Sequence, residues 1–162
     1  LAGAVWPTVR KSLGRAQLVN AAKQVRVVLS TARLEAIDSS EPRQFRFQPG
    51  GTSFQVDAYS MVDTSYLAVL NNETPEQATP IENLPDGVQF AVPEVAEAPV
   101  DPNATPGDEW SEPIVFYPNG RSTNGRLRLK GANGLYVDVV LRGITGVAKV
   151  GPVQREETET EP

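Results

Sequence analysis

A chain of 162 residues and 17.5 kDa is long enough for one domain with its own core and short for two. Its 40% hydrophobic and 22% charged residues make an ordinary globular composition, and the net charge of −5 is modest. Histidine and cysteine are both absent. That excludes Ser-His-Asp and Cys-His nucleophilic centres, His or Cys metal sites, iron–sulfur clusters, thiol redox chemistry and a disulfide framework.

The chain opens on the apolar run Leu1-Ala2-Gly3-Ala4-Val5-Trp6-Pro7, with an aromatic suited to a membrane interface. No run reaches the roughly 18–20 apolar residues of a membrane span. The opening reads either as the end of a hydrophobic segment or as a plain mature terminus. Residues 8–38 then predict one long helix. Leu18, Ala22, Val25, Leu29, Ala32 and Ala36 recur at alternating spacings of four and three, a single stripe that Ala21 and Val28 widen. Arg15, Lys23, Arg26 and Arg33 lie off it. Thr8 is placed to cap the start after Pro7, and Ser39, Ser40 and Pro42 end the helix.

The period then changes to two. Phe45 and Phe47 alternate with Arg46 and Gln48, Pro49-Gly50-Gly51 turns the chain, and Phe54, Val56 and Ala58 return on one face. Tyr66–Leu70 is a further apolar run. Pro85-Asp86-Gly87 is a turn into a strand over Val88–Val92, and residues 93–113 read as a Pro-rich acidic loop. Ile114–Tyr117 is a buried-looking strand, closed by Pro118-Asn119-Gly120. Asn124-Gly125 turns into Leu127 and Leu129, which alternate with Arg126, Arg128 and Lys130. Gly131–Gly134 is another turn, Tyr136–Leu141 a strand, and Thr145-Gly146 leads to a last strand near Val147–Val150. The sum is α+β: a long N-terminal helix on antiparallel sheet of about seven or eight short strands. One domain is expected over 1–154, with the helix in 1–40 and the β-rich part in 41–154. An acidic tail, 155–162, is expected to be disordered.

Charge is segregated along this chain. Residues 1–50 carry eight bases and three acids, residues 51–117 twelve acids and no base, and residues 118–154 six bases against Asp138. Such asymmetry steers an oriented partner.

Several pieces together resemble the type IV pilin-like proteins, in particular the minor pseudopilin H and FimT group. They are the apolar start; Ala32-Arg33-Leu34-Glu35-Ala36-Ile37 followed by Glu41-Pro42-Arg43-Gln44-Phe45-Arg46-Phe47; Leu84-Pro85-Asp86-Gly87-Val88; Ile114-Val115-Phe116-Tyr117-Pro118-Asn119-Gly120-Arg121-Ser122; and Val137-Asp138-Val139 leading to Thr145-Gly146. The resemblance implies a non-enzymatic minor pseudopilin of a type II secretion system. Such a subunit is held in the inner membrane by a helix segment preceding this sequence, with its globular part in the periplasm and other pseudopilins as partners. A type IV pilus minor pilin is the alternative, and a free-standing β-rich binding module using Trp110 and Tyr117 a second. Where related proteins often carry Gly-Arg-x-Arg, this chain reads Gly146-Val147-Ala148-Lys149. That departure argues against nucleic acid as a partner. No cofactor and no small-molecule substrate are expected.

The candidate sites are three. Val9, Leu13, Leu18, Ala22, Val25 and Leu29 serve helix packing and assembly, with the first turns, through Val9 and Leu13, better placed for intersubunit contact. Arg121, Arg126, Arg128 and Lys130 form a basic patch, read by preference as a solvated sheet face opposite the acidic middle of the chain. Asp101, Asn103, Thr105, Glu109 and Glu112, with Gly107, fall at the oxygen-ligand positions of a calcium loop. Pro106 stands where that loop needs glycine, so a solvated loop is the preferred reading and no metal is expected. Asp108, Glu109 and Glu112 are too close together on a Pro-rich loop for paired-carboxylate chemistry.

Overall fold

A computed structural model of the chain describes residues 6–60, 79–92 and 110–156. The Tyr66–Leu70 run and most of the 93–113 loop lie outside the described residues. Helix α1 (Trp6–Ser39) spans 34 residues, about 51 Å at 1.5 Å per residue. Thr8 therefore sits inside the helix instead of capping it. At the other end Ser40 takes a left-handed φ of 57°, and the Ser39 hydroxyl donates to the carbonyl of Glu35. Pro42 completes the stop by disfavouring a helical conformation at Glu41.

Nine strands follow among the described residues: β1 (Arg43–Phe47), β2 (Ser53–Ala58), β3 (Glu82–Asn83), β4 (Gln89–Phe90), β5 (Ile114–Phe116), β6 (Gly125–Lys130), β7 (Leu135–Arg142), β8 (Val147–Val150) and β9 (Gln154–Arg155). All pairings are antiparallel. They form two sheets: β3-β2-β1-β5, and β4-β6-β7-β8 with β9 on β7. The expected hairpin is β1–β2, in register Phe45↔Val56 and Phe47↔Phe54. The strand expected over Val88–Val92 shortens to β4.

The helix stripe fills the core as its spacing requires. Leu18, Ala21, Ala22, Val25, Leu29, Ala32 and Ala36 are all buried, against residues of both sheets that include Phe45, Phe116, Leu129, Val139 and Leu141. Alanines on the stripe let the helix axis lie close to the strands, while leucines fill the space between. The two sheets meet at a cluster of phenylalanines. Phe47 of β1 and Phe90 of β4 have ring centroids 4.7 Å apart, and Phe54 meets Phe90 edge-on at 6.1 Å. Main-chain bonds from the β1–β2 turn fix this junction: Gly50 N–H donates to Phe90, and Phe90 N–H donates to Gly51.

At the far end of the helix, Arg33 reaches into the turn after β5. Its Nε donates to the Gly120 carbonyl at 2.9 Å. The β7–β8 turn packs on the same spot. Gly146 has a φ of +62°, and any Cβ there would run into the Gly120 carbonyl and the Arg33 side chain. Glycine is required here both by conformation and by space. At the other end, a Cβ added at Gly14 of the helix would stand 3.6 Å from the Ala132 side chain, in the 3-10 turn Ala132–Gly134 between β6 and β7.

The tail expected from residue 155 onward starts as ordered backbone. Arg155 pairs with Leu135 in β9, and Glu156 N–H donates to the Gly134 carbonyl. Residues 157–162 lie outside the described residues.

Candidate functional site

The helix supplies two faces with different availability. Leu18, Ala22, Val25 and Leu29 are fully buried under the chain's own sheets, so they stabilise the domain and are not open to a neighbour. Leu13, by contrast, is 56% exposed, and Val9 lies one turn before it on the same helix. On the side away from the sheets Val27 and Leu34 are also exposed, one heptad apart. A helical turn advances 100° per residue, so these residues project roughly opposite the buried stripe. What the helix presents to its surroundings is thus a sparse aliphatic line, and the dense Ala/Leu/Val stripe is already used.

The basic cluster on β6 is mostly paired off within the second sheet. Arg126, Arg128 and Lys130 share the face opposite buried Leu127 and Leu129. Register sets Arg128 directly across from Asp138 of β7. The Arg128 guanidinium binds that carboxylate with two donors, at 2.8 and 3.2 Å, and Arg126 donates to its Oδ2. These donors hold the Asp138 carboxyl below its usual range, with the Arg128 hydrogen bonds the largest cause and burial opposing them. Arg128 also lies over the Tyr136 ring, 4.1 Å from its centroid, and its own pKa is pushed up chiefly by Asp138. Tyr136 in turn donates its hydroxyl to Gln154 at 2.6 Å, which fastens β9 to β7. Lys130 pairs with Glu156 at 2.7 Å.

Among the described residues, the acids that answer the cluster are Asp138 and Glu156. Asp138 was in plain sight as the single acid among 118–154, but only the strand register brings it opposite Arg128. Glu156 was hidden by a tail whose composition reads as solvated. Arg121, the fourth member, is exposed on the Gly120 turn and stands apart from the other three.

The loop candidates Asp101, Asn103, Thr105 and Glu109 lie outside the described residues. Glu112 is exposed, just ahead of β5. Its neighbour Ser111 exchanges bonds with Phe47: the Ser111 N–H donates to the Phe47 carbonyl at 2.8 Å, and the Phe47 N–H donates to the Ser111 hydroxyl at 3.1 Å. That end of the loop is thus tied to β1. Among the described residues no three His, Cys, Asp or Glu side chains converge as a metal site would need. No described helix is long and apolar enough to cross a membrane. Trp110 is half-buried and Tyr117 partly exposed. The ring–ring contacts join Phe45, Phe47, Phe54 and Phe90 inside the core, so they offer no outward stacking platform.

No protein-family model and no curated protein sequence matches the chain. Among solved structures, it is similar to the minor pseudopilin EpsH from the type 2 secretion system of Vibrio cholerae, with a TM-score of 0.54 and 12% identity. The match covers 83% of this chain and 96% of that one. The fold is accordingly that of a pilin-like minor pseudopilin: a long N-terminal helix with two antiparallel sheets packed along it.

Proposed function

We propose that this chain is the globular part of a minor pseudopilin, a structural subunit of a type II secretion pseudopilus that takes part in protein export. The observation that carries this is the likeness of the whole fold to EpsH, which spans nearly all of that chain despite 12% identity. The sequence motifs of the minor pseudopilin H and FimT group point the same way. In this reading the helix runs back from Trp6 into an inner-membrane segment, and the sheets stand in the periplasm.

The work of such a subunit is assembly. Its own sheets hold the lower-lying stripe from Leu18 to Ala36, so the helix is rigidly fixed to the globular part. The turns around Val9 and Leu13 are then free to pack against helices of neighbouring subunits. Close helix–helix packing needs little more than shape and small residues, which the run Leu1–Ala4 also supplies. No chemical step is assigned. The partners are other pseudopilins, and neither a small-molecule substrate nor nucleic acid enters.

The test is genetic and direct. Deletion of the gene should stop secretion and shorten or abolish the pseudopilus, and the full-length gene should restore both. Normal secretion in the deletion strain would overturn the reading. Lost twitching or DNA uptake with intact secretion would move the protein to the type IV pilus minor pilins.

A further inference from the structure

The outward face of the second sheet changes character along its strands. Where β9 joins, the cations are paired: Arg128 with Asp138, and Lys130 with Glu156. Toward the β7–β8 turn carboxylates are scarcer: Arg126 shares Asp138 with Arg128, and Arg142 and Lys149 form no ion pair with a described residue. Register sets Arg126, Val140 and Lys149 side by side on β6, β7 and β8, with Arg142 beside Val147 in a neighbouring pair. Their neighbours along the strands, Val139, Leu141 and Ala148, are buried toward the helix, so this set faces away from it. Val140 is 40% exposed, Val147 45%, and Ile144 at the tip of the turn 83%. Arg142 and Lys149 are exposed as well.

An outward sheet face that met only water would carry polar side chains at these positions. Here three aliphatic side chains are ringed by three cations. Phosphates would answer the cations but not the aliphatic centre, and no aromatic side chain among these residues offers a base a stacking surface. The matching surface is a protein segment with carboxylates set between aliphatic side chains. This chain contains one: Pro93-Glu94-Val95-Ala96-Glu97-Ala98-Pro99-Val100-Asp101, within the stretch that holds twelve acids and no base. Among the described residues the patch is exposed, so a second copy of the chain can reach it with that segment.

We propose that the face formed by Arg126, Val140, Arg142, Ile144, Val147 and Lys149 docks the acidic, valine-bearing 93–101 segment of a second copy of this chain. Two unlike surfaces meeting in this way make a contact that is either reciprocated in a two-fold dimer or continued from copy to copy into a ring or a filament. Its place in a filament rests on the pseudopilin reading; the contact itself does not.

Because the chain has no cysteine, a single Ala96→Cys substitution carries a spin label at one known position. Spin-labelled, isotopically unlabelled chain is mixed with nitrogen-15-labelled chain and read by NMR. The expected result is loss of amide signal intensity at Val140, Ile144 and Val147 of the labelled copy, stronger at low salt. Arg142→Glu combined with Lys149→Glu in that copy should abolish the loss. Both side chains are exposed, and an unchanged spectrum elsewhere shows that the variant is folded. Unchanged intensities in the mixture, or loss only when label and isotope share one chain, would overturn the proposal. So would loss that persists in the charge-reversed variant, or displacement of the spin-labelled copy by submicromolar duplex DNA. These readouts on purified chain are separate from the secretion phenotype, so the two readings fail independently.

Discussion

Truncating Leu29 to alanine probes the joint between helix and sheets. Leu29 has no exposed surface and lies mid-stripe, between Val25 and Ala32. The substitution removes three carbon groups from water-free packing, about 0.8 kcal/mol each, or roughly 2.4 kcal/mol in transfer alone. A cavity adds to this where the surroundings do not collapse, and a fixed helix on two sheets collapses poorly. The expected loss is about 2–5 kcal/mol. For a chain of this size that lowers Tm by on the order of 4–20 °C. The control is Leu34→Ala: the same chemistry, five residues on, at a site 55% exposed on the other side of the helix. It should change stability by no more than about 0.5 kcal/mol. Urea unfolding of both variants, with midpoints compared at equal slope, measures the contrast. Equal losses at the two positions would refute the assignment of the buried face.

Three further outcomes are expected. Gly146→Ala should destabilise the domain by about 1–3 kcal/mol from backbone strain alone, since alanine must adopt the left-handed φ and meet the Gly120 carbonyl; thermal unfolding reads it. Asp138→Asn removes a carboxylate whose folded pKa lies below its unfolded one, so its contribution is present above the ordinary carboxylate value of about 4 and lost as pH falls through the lowered folded value. The stability gap between Asp138→Asn and the parent should therefore be widest at neutral pH and close under acid. Titration calorimetry should detect neither micromolar calcium binding nor submicromolar duplex DNA binding; calcium binding lost in Asp101→Ala or Glu112→Ala would instead establish the acidic loop as a metal site.

The helix was legible because burial on one side writes a 3.6-residue period into the sequence, and the residues on that stripe are the ones the sheets cover. The β1–β2 hairpin was legible for the same reason with a period of two, punctuated by Pro49-Gly50-Gly51. The division into two sheets was not. Ile114–Phe116 pairs with β1 across some seventy positions, and a pairing at such range leaves no local pattern. The charge partners followed the same divide. Arg128 and Asp138 looked unrelated until the register set them opposite each other. Lys130 found Glu156 in a segment whose composition suggests only solvation. Arg33, off the stripe and apparently a surface cation, turned out to bind the Gly120 carbonyl. No periodicity announces a side chain that caps a distant turn.

Assembly through the free helix turns is tested most directly by site-specific crosslinking in a secreting cell. A photoreactive residue is placed at Leu13, exposed on the helix, and another at Leu29, buried beneath the sheets. Illumination should join the Leu13 variant to other pseudopilins, and the Leu29 variant should give no such adduct. Absence of any pseudopilin adduct from Leu13, with the protein present at its normal level, would contradict the claim.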